Sequence, residues 1–131
     1  MAIVSIGSDL CQISRVADVL ERRGERFCAR VFTDAERAYC DRRQAARPSH
    51  YAGRFAVKEA VMKALGTGWR SGVRWVDIET LREPGEAPRI KLHGRTRELA
   101  SERGIARWHL TITHDAGLAL AFVVAESAPE D

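Results

Sequence analysis

The spacing of apolar residues along this 131-residue chain predicts helices mostly in its first half and strands mostly in its second. Apolar side chains that recur every three or four positions mark the helices, and Thr33 with Glu36 forms a capping pattern at the start of one of them. Gly24, Gly66 and Gly104 follow helical segments and can end them. The predicted helices span 13–23, 33–43, 49–65 and 95–103.

Alternating and β-branched segments predict the strands. Residues 73–81 and 89–93 alternate around a Glu-Pro-Gly-Glu turn and should pair as a hairpin. The continuous apolar run 118–125 predicts a central strand that is buried on both faces, and residues 114–117 are expected to form the turn before it. The predicted strands span 2–8, 73–81, 89–93, 108–113 and 118–125.

The order of these elements indicates the fold class. Helices cluster early and strands late, which favours an α+β fold with a mostly antiparallel sheet packed against the long central helix. The length suits a single domain, which we place at 1–126, and residues 127–131 are predicted to form an acidic C-terminal tail.

Composition narrows the class of protein. With 45% hydrophobic and 30% charged residues the chain has a globular composition, and its net charge of +3 favours acidic partners without naming one. No apolar run approaches the ~20 residues of a membrane span, and the N-terminus lacks a signal-peptide pattern. Its three cysteines have no metal-binding spacing. We therefore expect a cytoplasmic protein with free thiols and no membrane partner.

The segment 54–68 carries most of the candidate chemistry. Glu59 and Lys63 are four residues apart, so they lie side by side on the predicted helix. Gly66 can cap that helix, and Thr67 and Gly68 place a hydroxyl and an open backbone close to the lysine. An acid, a lysine and a Gly-Thr-Gly turn suggest a site that handles phosphate, although the turn is equally well explained as a plain helix cap.

Asp9 and Glu59 are the candidate metal ligands. Carboxylate oxygens suit Mg²⁺, which commonly takes one or two carboxylates together with substrate phosphates and water. Each acid has an ordinary alternative, since Asp9 could be solvated and Glu59 could pair with Lys63. Lys63 in turn could bind phosphate, act as a general base, or serve only as a surface ion-pair partner.

Two further groups are candidates for binding. His114, between Thr113 and Asp115 in the predicted turn, could donate a hydrogen bond to a phosphate. Arg15, Arg22 and Arg26 fall at spacings that place them on about one helix face. That face could dock an acidic helix, but it lacks the interleaved aromatic residues that bind RNA, so no nucleic-acid partner is expected.

Three sequence blocks together resemble the holo-acyl-carrier-protein synthase family of 4′-phosphopantetheinyl transferases, in its short bacterial form. Residues 6–10 (IGSDL) are similar to the Gly-x-Asp strand of that family. Residues 54–68 (RFAVKEAVMKALGTG) are similar to its RFAxKEAxxKALGTG signature, which is highly specific. Residues 110–115 (LTITHD) are similar to its C-terminal SxSHD block.

The resemblance implies transfer of the phosphopantetheine arm of coenzyme A to a serine of an apo acyl carrier protein, which releases adenosine 3′,5′-bisphosphate and serves fatty-acid or polyketide biosynthesis. It implies that Asp9 and Glu59 hold Mg²⁺, and that Lys63 contacts phosphate or acts as the base. It further implies a homotrimer with sites at subunit interfaces and docking of the carrier protein by Arg15 and Arg22. The residues that would line the coenzyme A site are Arg54, Lys63, Gly66, Thr67, Gly68 and His114.

The chain departs from the family pattern at three positions. Ser8 stands where an apolar residue is usual, Gln12 where an acid is common, and Thr113 where a serine precedes the histidine. None of these changes removes a proposed ligand, but Gln12 leaves a third metal position to water.

Two other functions are compatible with the residues alone. A basic, non-enzymatic module that binds an acidic protein or RNA would use the arginines and need neither metal nor coenzyme A. A metal-dependent phosphohydrolase is disfavoured, because the chain supplies few acids for a two-metal site.

Overall fold

The computed structural model describes residues 1–68 and 71–129. Its strands are β1 (Ile3–Gln12), β2 (Ile78–Leu81), β3 (Arg89–Leu92), β4 (Ile105–Asp115) and β5 (Leu118–Ser127). Its α-helices are α1 (Ile13–Val31), α2 (Asp34–Asp41), α3 (Arg47–Leu65) and α4 (Gly94–Glu102), with short 3₁₀ turns at Gln44–Ala46 and Trp75–Asp77. None of the helices in these described residues has the length and apolar content that a membrane span requires.

The strands form two antiparallel sheets. The larger has the order β1-β5-β4, and β2 pairs with β3 in a separate hairpin. Helix α3 packs across one face of the larger sheet, against β1, β4 and β5. The expected α+β fold, with a mostly antiparallel sheet around a long central helix, is confirmed, as is the 73–81/89–93 hairpin, although its first strand begins only at Ile78.

Helix α3 lies unusually close to the sheet because small residues face each other. Ala56, Ala60 and the β5 residues Ala119 and Ala121 are fully buried. At Gly7 of β1 the approach is closest, since a Cβ placed there would lie 2.1 Å from the carbonyl oxygen of Ala60. Only glycine leaves room for this contact, so Gly7 sets the distance between β1 and α3.

A buried lysine ties the opposite side of α3 to the rest of the fold. The Lys58 ammonium donates to Glu36 Oε1 at 2.8 Å, to the carbonyl of Trp75 at 3.0 Å and to the carbonyl of Ile78. Both charged side chains of the Lys58–Glu36 pair are fully buried. Three acceptors satisfy the three N–H donors, which is the condition under which a buried ion pair is tolerated.

The Glu36 carboxylate makes two further contacts, one at the start of α2 and one with β2. Its Oε1 accepts from the Thr33 amide at 3.0 Å, while the Thr33 hydroxyl accepts from the Glu36 amide at 3.2 Å. The predicted capping box is therefore confirmed. The second oxygen, Oε2, accepts from the amide of Thr80 in β2 at 3.0 Å, so one carboxylate joins α2, α3 and the hairpin.

Helix α1 does not end at Gly24, contrary to the sequence prediction. It continues to Val31 through a local kink at Arg23, whose φ of −143° is not helical. Beyond the kink Cys28 and Val31 are buried in the core, and the burial of this second apolar stretch outweighs the low helix propensity of one glycine.

The β4–β5 hairpin is longer than predicted. Ala116 and Gly117 alone form its turn, both with positive φ, at 51° and 76°. Such two-residue turns match the twist of paired strands. His114 and Asp115 therefore belong to β4 and not to the turn, and their side chains point to opposite faces of the sheet. At the other end Ser127 still pairs within β5, where its amide donates to the Ala2 carbonyl at 2.8 Å.

Strand β5 is central, as predicted, but it is buried on one face only. Leu120 and Phe122 are 38% and 40% exposed on the face away from α3. Their β1 neighbours Ile6 and Leu10 are 59% and 61% exposed on the same face. We call these four residues the outer sheet face. The prediction of burial on both faces was wrong for the single chain because its helices cover only one side.

The Gly7 contact yields a stability prediction. We expect Gly7→Ala to lower the free energy of unfolding by at least about 2 kcal/mol, because the new methyl group must push β1 away from the backbone of α3. Gly24→Ala is the matched control, since a Cβ at that helical position meets nothing within 4 Å. Urea unfolding measures both variants, and equal stability of the two would contradict the role given to Gly7.

Candidate active site

Asp9 of β1 meets two charged side chains of α3, Glu59 and Lys63, where the strand crosses the helix. The Lys63 ammonium donates to Asp9 Oδ1 at 2.9 Å and to the carbonyl of Ser8 at 3.1 Å. Asp9 lies within β1, three residues before its end, and not at the strand end that the sequence suggested. Its side chain points towards α3 because it alternates with Ser8 and lies on the same strand face as Gly7.

Glu59 is the second carboxylate of this cluster. Partial burial raises the pKa of its carboxyl group, the negative charge of Asp9 raises it further, and Lys63 offsets part of this shift. The two carboxylates are therefore close enough to repel each other in a partly dry site. A cation placed between them would relieve that repulsion.

The donor set fits a hard divalent cation. Asp9 and Glu59 offer two carboxylates, which is the number that Mg²⁺ commonly takes from a protein when substrate phosphates and water complete its shell. Within residues 1–68 and 71–129, no group of three or more His, Cys, Asp or Glu side chains could hold a metal ion. The two acids are thus the candidate ligands, and further ligands would come from solvent or substrate.

A pocket of about 450 Å³ opens beside the two acids. Gln12 and Arg15 line it together with Phe55, so an amide stands where a third acid could have been. Cys11 also lines it, but burial raises the pKa of its thiol to about 11. That thiol therefore favours its uncharged form, which is a poor nucleophile.

The glycine turn directly follows Lys63. Gly66 adopts a left-handed conformation with φ of 75°, and its amide donates to the carbonyls of Met62 and Lys63 at 3.0 and 3.1 Å. Thr67 donates from its hydroxyl to the carbonyl of Gly68 at 3.0 Å. The predicted helix cap is confirmed, and it ends α3 within one turn of Lys63.

A second, strongly basic site lies around the first half of α3. A groove of about 840 Å³ is lined by several cationic and aromatic side chains. We call it the basic groove, and its arginine, histidine and tyrosine lining consists of Tyr39, Arg42, Arg43, His50, Arg54 and Arg82. Among the described residues, none of these four arginines forms an ion pair with a carboxylate. An anion could therefore enter without displacing a carboxylate from these arginines.

The electrostatics of the basic groove favour an anion further. Burial lowers the pKa of His50 to about 4, and the charges of Arg54 and Arg43 add to the effect. This histidine is therefore neutral at physiological pH, chiefly because it is partly buried and further because positive charges surround it. Arg54 itself is only 4% exposed, and its Nε has no hydrogen-bond partner in the described part of the chain.

His114 is held at the edge of the basic groove. Its Nε2 donates to the carbonyl of Ser49 at 3.0 Å, and together with Arg54 it lines an adjoining pocket of about 400 Å³. The contact depends on Gly53 of α3, where a Cβ would lie 3.1 Å from His114 Nε2. The absence of a side chain at Gly53 thus leaves room for the imidazole.

Within one chain the acids and the basic groove are separate. The pocket beside Asp9 and Glu59 is lined by neither Arg54 nor His114, and the basic groove is lined by neither acid. The geometry of α3 explains this separation, because Arg54 and Glu59 are five residues apart, or about 140° around the helix and about 7.5 Å along it. Sequence reasoning found Arg54 and His114 but missed Tyr39 and the other groove residues.

The arginines of α1 form a third basic surface. Arg22 and Arg26 line a shallow pocket of about 490 Å³ together with Val19 and Phe27, whereas Arg15 lines the pocket of the two acids. This surface therefore begins at the acids and continues along α1. Such a mixture of apolar and cationic groups suits an acidic, amphipathic partner.

Comparisons with known proteins agree on one family. A family model described as the 4′-phosphopantetheinyl transferase superfamily matches residues 5–123. The holo-[acyl-carrier-protein] synthase of Methylobacterium radiotolerans is 53% identical over 131 residues, which cover 97% of this chain and 96% of that protein. The solved holo-[acyl-carrier-protein] synthase of Neisseria meningitidis has a TM-score of 0.85 at 30% identity, covering 96% of this chain and 100% of that one. The Helicobacter pylori enzyme, solved in complex with coenzyme A, has a TM-score of 0.80 at 33% identity, covering 92% and 99%.

The environment of Glu59 predicts a stability gain when its charge is removed. A carboxyl group whose folded pKa is raised stabilises the fold below its unfolded value and loses this contribution as pH rises. At pH 7 without added metal, Glu59→Gln should therefore raise the melting temperature, and the gain should vanish towards pH ~4. Glu21→Gln, at an exposed position of α1, should leave the melting temperature unchanged. A lower melting temperature for Glu59→Gln at pH 7 would contradict this account of the cluster.

Proposed function

The chain belongs to the 4′-phosphopantetheinyl transferase superfamily, and from this premise we propose that it moves the phosphopantetheine arm of coenzyme A onto a serine of an apo acyl carrier protein, with Mg²⁺ as cofactor. As a member of this family it is a phosphopantetheinyl transferase. The alternative of a non-enzymatic basic module is thereby set aside. The observation that carries the finer proposal is the meeting of Asp9, Glu59 and Lys63 at the β1–α3 contact.

The proposed reaction makes one bond and breaks one. The hydroxyl oxygen of the carrier serine forms a bond to the phosphorus that bears the pantetheine arm. The bond from that phosphorus to the bridging oxygen of the pyrophosphate breaks, and adenosine 3′,5′-bisphosphate leaves with the electron pair. The serine proton passes to a base. Such transfers depend mainly on positioning and on neutralising charge.

Asp9 and Glu59 would hold the Mg²⁺, which when bound supplies positive charge to the pyrophosphate. Lys63 adds a second positive charge beside it, where its ammonium forms an ion pair with Asp9. Acting as the base would require its uncharged form, so we favour Lys63 as a phosphate contact and water as the proton acceptor. Thr67 and Gly68, just beyond Lys63, are proposed to lie along the phosphates of the coenzyme.

The basic groove is proposed to receive the other anionic end of coenzyme A. This molecule carries a phosphomonoester on its ribose in addition to the pyrophosphate. A dianion of that kind matches arginines that lack carboxylate partners in the described residues. Arg54 and His114 are thus proposed coenzyme contacts, together with the groove arginines that sequence reasoning missed.

We propose that the complete site forms between subunits of a homotrimer. Two observations support this arrangement: the acids and the basic groove lie apart within one chain, and the outer sheet face exposes Ile6, Leu10, Leu120 and Phe122. A contiguous group of exposed apolar side chains on a strand face is typical of a protein interface. We propose that in this assembly the acids of one subunit act with the basic groove of its neighbour.

The carrier protein is proposed to dock on α1. Arg15 and Arg22 offer charge to an acidic helix, and Phe27 offers an apolar contact between them and the site. Because Arg15 also lines the pocket of Asp9 and Glu59, a partner bound here would present its serine to the acids. Acyl carrier proteins serve fatty-acid and polyketide synthesis, so we propose that one of these pathways in the cytoplasm uses this enzyme.

A mass-shift assay tests the function. Incubation with coenzyme A, Mg²⁺ and an apo acyl carrier protein should increase the mass of the carrier by one phosphopantetheine group. Chelation of the metal should stop the reaction, and Glu59→Gln should slow it by more than about 100-fold while the fold persists. Glu21→Gln is the control variant, with an expected rate close to that of the unmodified enzyme. No gain on any of several carrier proteins, with folded enzyme and Mg²⁺, would overturn the proposal.

A further inference from the structure

Tyr39 lines the basic groove, and two cationic side chains contact its ring. The guanidinium carbon of Arg43 lies 3.5 Å from the ring centroid, and that of Arg54 lies 3.9 Å from it. The imidazole of His50 meets the same ring edge-to-face, with centroids 5.6 Å apart. One aromatic ring of α2 thus contacts three basic side chains, Arg43 from the segment after α2 and His50 and Arg54 from α3.

The ring contacts both arginines, which form few hydrogen bonds with the described part of the chain. Arg54 is almost fully buried, yet its Nε has no partner within the described residues. Arg43 donates once, from Nη1 to the carbonyl of Tyr39 itself at 2.9 Å. A guanidinium stacked on an aromatic face keeps the N–H groups at its edge free for a ligand. Tyr39 therefore holds both guanidiniums against its ring while leaving donors available.

Two like charges against one ring repel each other, and no carboxylate of the described chain pairs with either of them. The neutral His50 adds no negative charge. A phosphomonoester, with nearly two negative charges and three acceptor oxygens, is the ligand chemistry that satisfies such a pair. Because the ring already orders these two long side chains in the free protein, less conformational entropy is lost when the ligand binds, and affinity increases.

We propose that Tyr39 is a positioning residue that orients Arg43 and Arg54 to bind the ribose phosphomonoester of coenzyme A. The proposal rests on the proposed function, because it takes coenzyme A as the ligand of the basic groove. It adds that the preference for coenzyme A over its 3′-dephospho form depends on an aromatic ring at position 39.

The test compares Tyr39→Leu, which removes the ring, with Tyr39→Phe, which keeps it. Steady-state KM values are measured for coenzyme A and for 3′-dephospho-coenzyme A with the same carrier protein. Tyr39→Leu should raise the KM for coenzyme A about tenfold and change the KM for the 3′-dephospho form much less. The KM for the 3′-dephospho form divided by the KM for coenzyme A should therefore fall towards one. Tyr39→Phe should retain the ratio of the unmodified enzyme, because the ring and not the hydroxyl is the functional part.

A binding measurement separates this inference from the function. Calorimetry with adenosine 3′,5′-bisphosphate should show about tenfold weaker binding to Tyr39→Leu, and a much smaller change with adenosine 5′-monophosphate, which lacks the 3′-phosphate. This result would support Tyr39 even if no carrier protein were modified. Absence of transfer by the unmodified enzyme would instead refute the proposed function.

Three outcomes would overturn the role of Tyr39. An unchanged KM for coenzyme A in Tyr39→Leu would show that the ring does not position the arginines. An equal rise for both substrates would show a merely structural role, or a groove that holds the pyrophosphate. A KM for coenzyme A as high in Tyr39→Phe as in Tyr39→Leu would show that the hydroxyl, and not the ring, is the functional part. Melting curves verify folding, and Tyr39→Met, which keeps the apolar volume without the ring face, replaces Tyr39→Leu if that variant does not fold.

Discussion

The close packing of β1 on α3 at Gly7 is the contact on which the rest of the structure depends. A methyl group at this point would lie 2.1 Å from the Ala60 carbonyl, so the strand and the helix can approach this closely only with glycine. Two residues further along β1, the same approach brings Asp9 to Lys63 and into the electrostatic range of Glu59. The meeting of Asp9 with Glu59 and Lys63 is therefore a consequence of backbone packing and not of local sequence.

Helix α3 contributes residues to both halves of the proposed site, because different sides of the helix face different parts of the fold. Its small residues lie on the sheet, Lys58 is buried against α2 and the β2–β3 hairpin, Glu59 faces the pocket of the acids, and Arg54 enters the basic groove. A helix seated this firmly cannot rotate to bring Arg54 and Glu59 to one ligand. The two halves of the site must then be joined by something other than a movement of α3, and in our account this is a neighbouring subunit.

The sequence predicted local features well where the local chain determines them. The capping box at Thr33 and the left-handed Gly66 depend on a few neighbouring residues, and both were confirmed. Gly24 misled the prediction, because the end of α1 is decided by the burial of Cys28 and Val31 in the core. The exposed side of β5 could not be predicted, because a continuous apolar run indicates that both faces become buried but not whether the same chain covers them.

The site residues divide in the same way. Asp9, Glu59 and Lys63 could be identified from the motifs that surround them, and the structure brings them together. Tyr39, Arg43 and Arg82 carry no motif, since their role arises only when α2, α3 and the loop after β2 enclose one groove. The fully buried Lys58 was also missed as an anchor, because a lysine in a charged helix normally indicates a solvated face.

Mixing of subunits tests the central claim, that the acids of one subunit act with the basic groove of another. Glu59→Gln and His114→Ala are each expected to be inactive on their own, and the two variants are then co-refolded in equal amounts. If each site takes Glu59 from one subunit and His114 from its neighbour, random assembly leaves about a quarter of the sites intact, and phosphopantetheine transfer should return to about that fraction. Transfer that stays at the level of the separate variants, in verified mixed oligomers, would place the whole site in one chain and contradict the account.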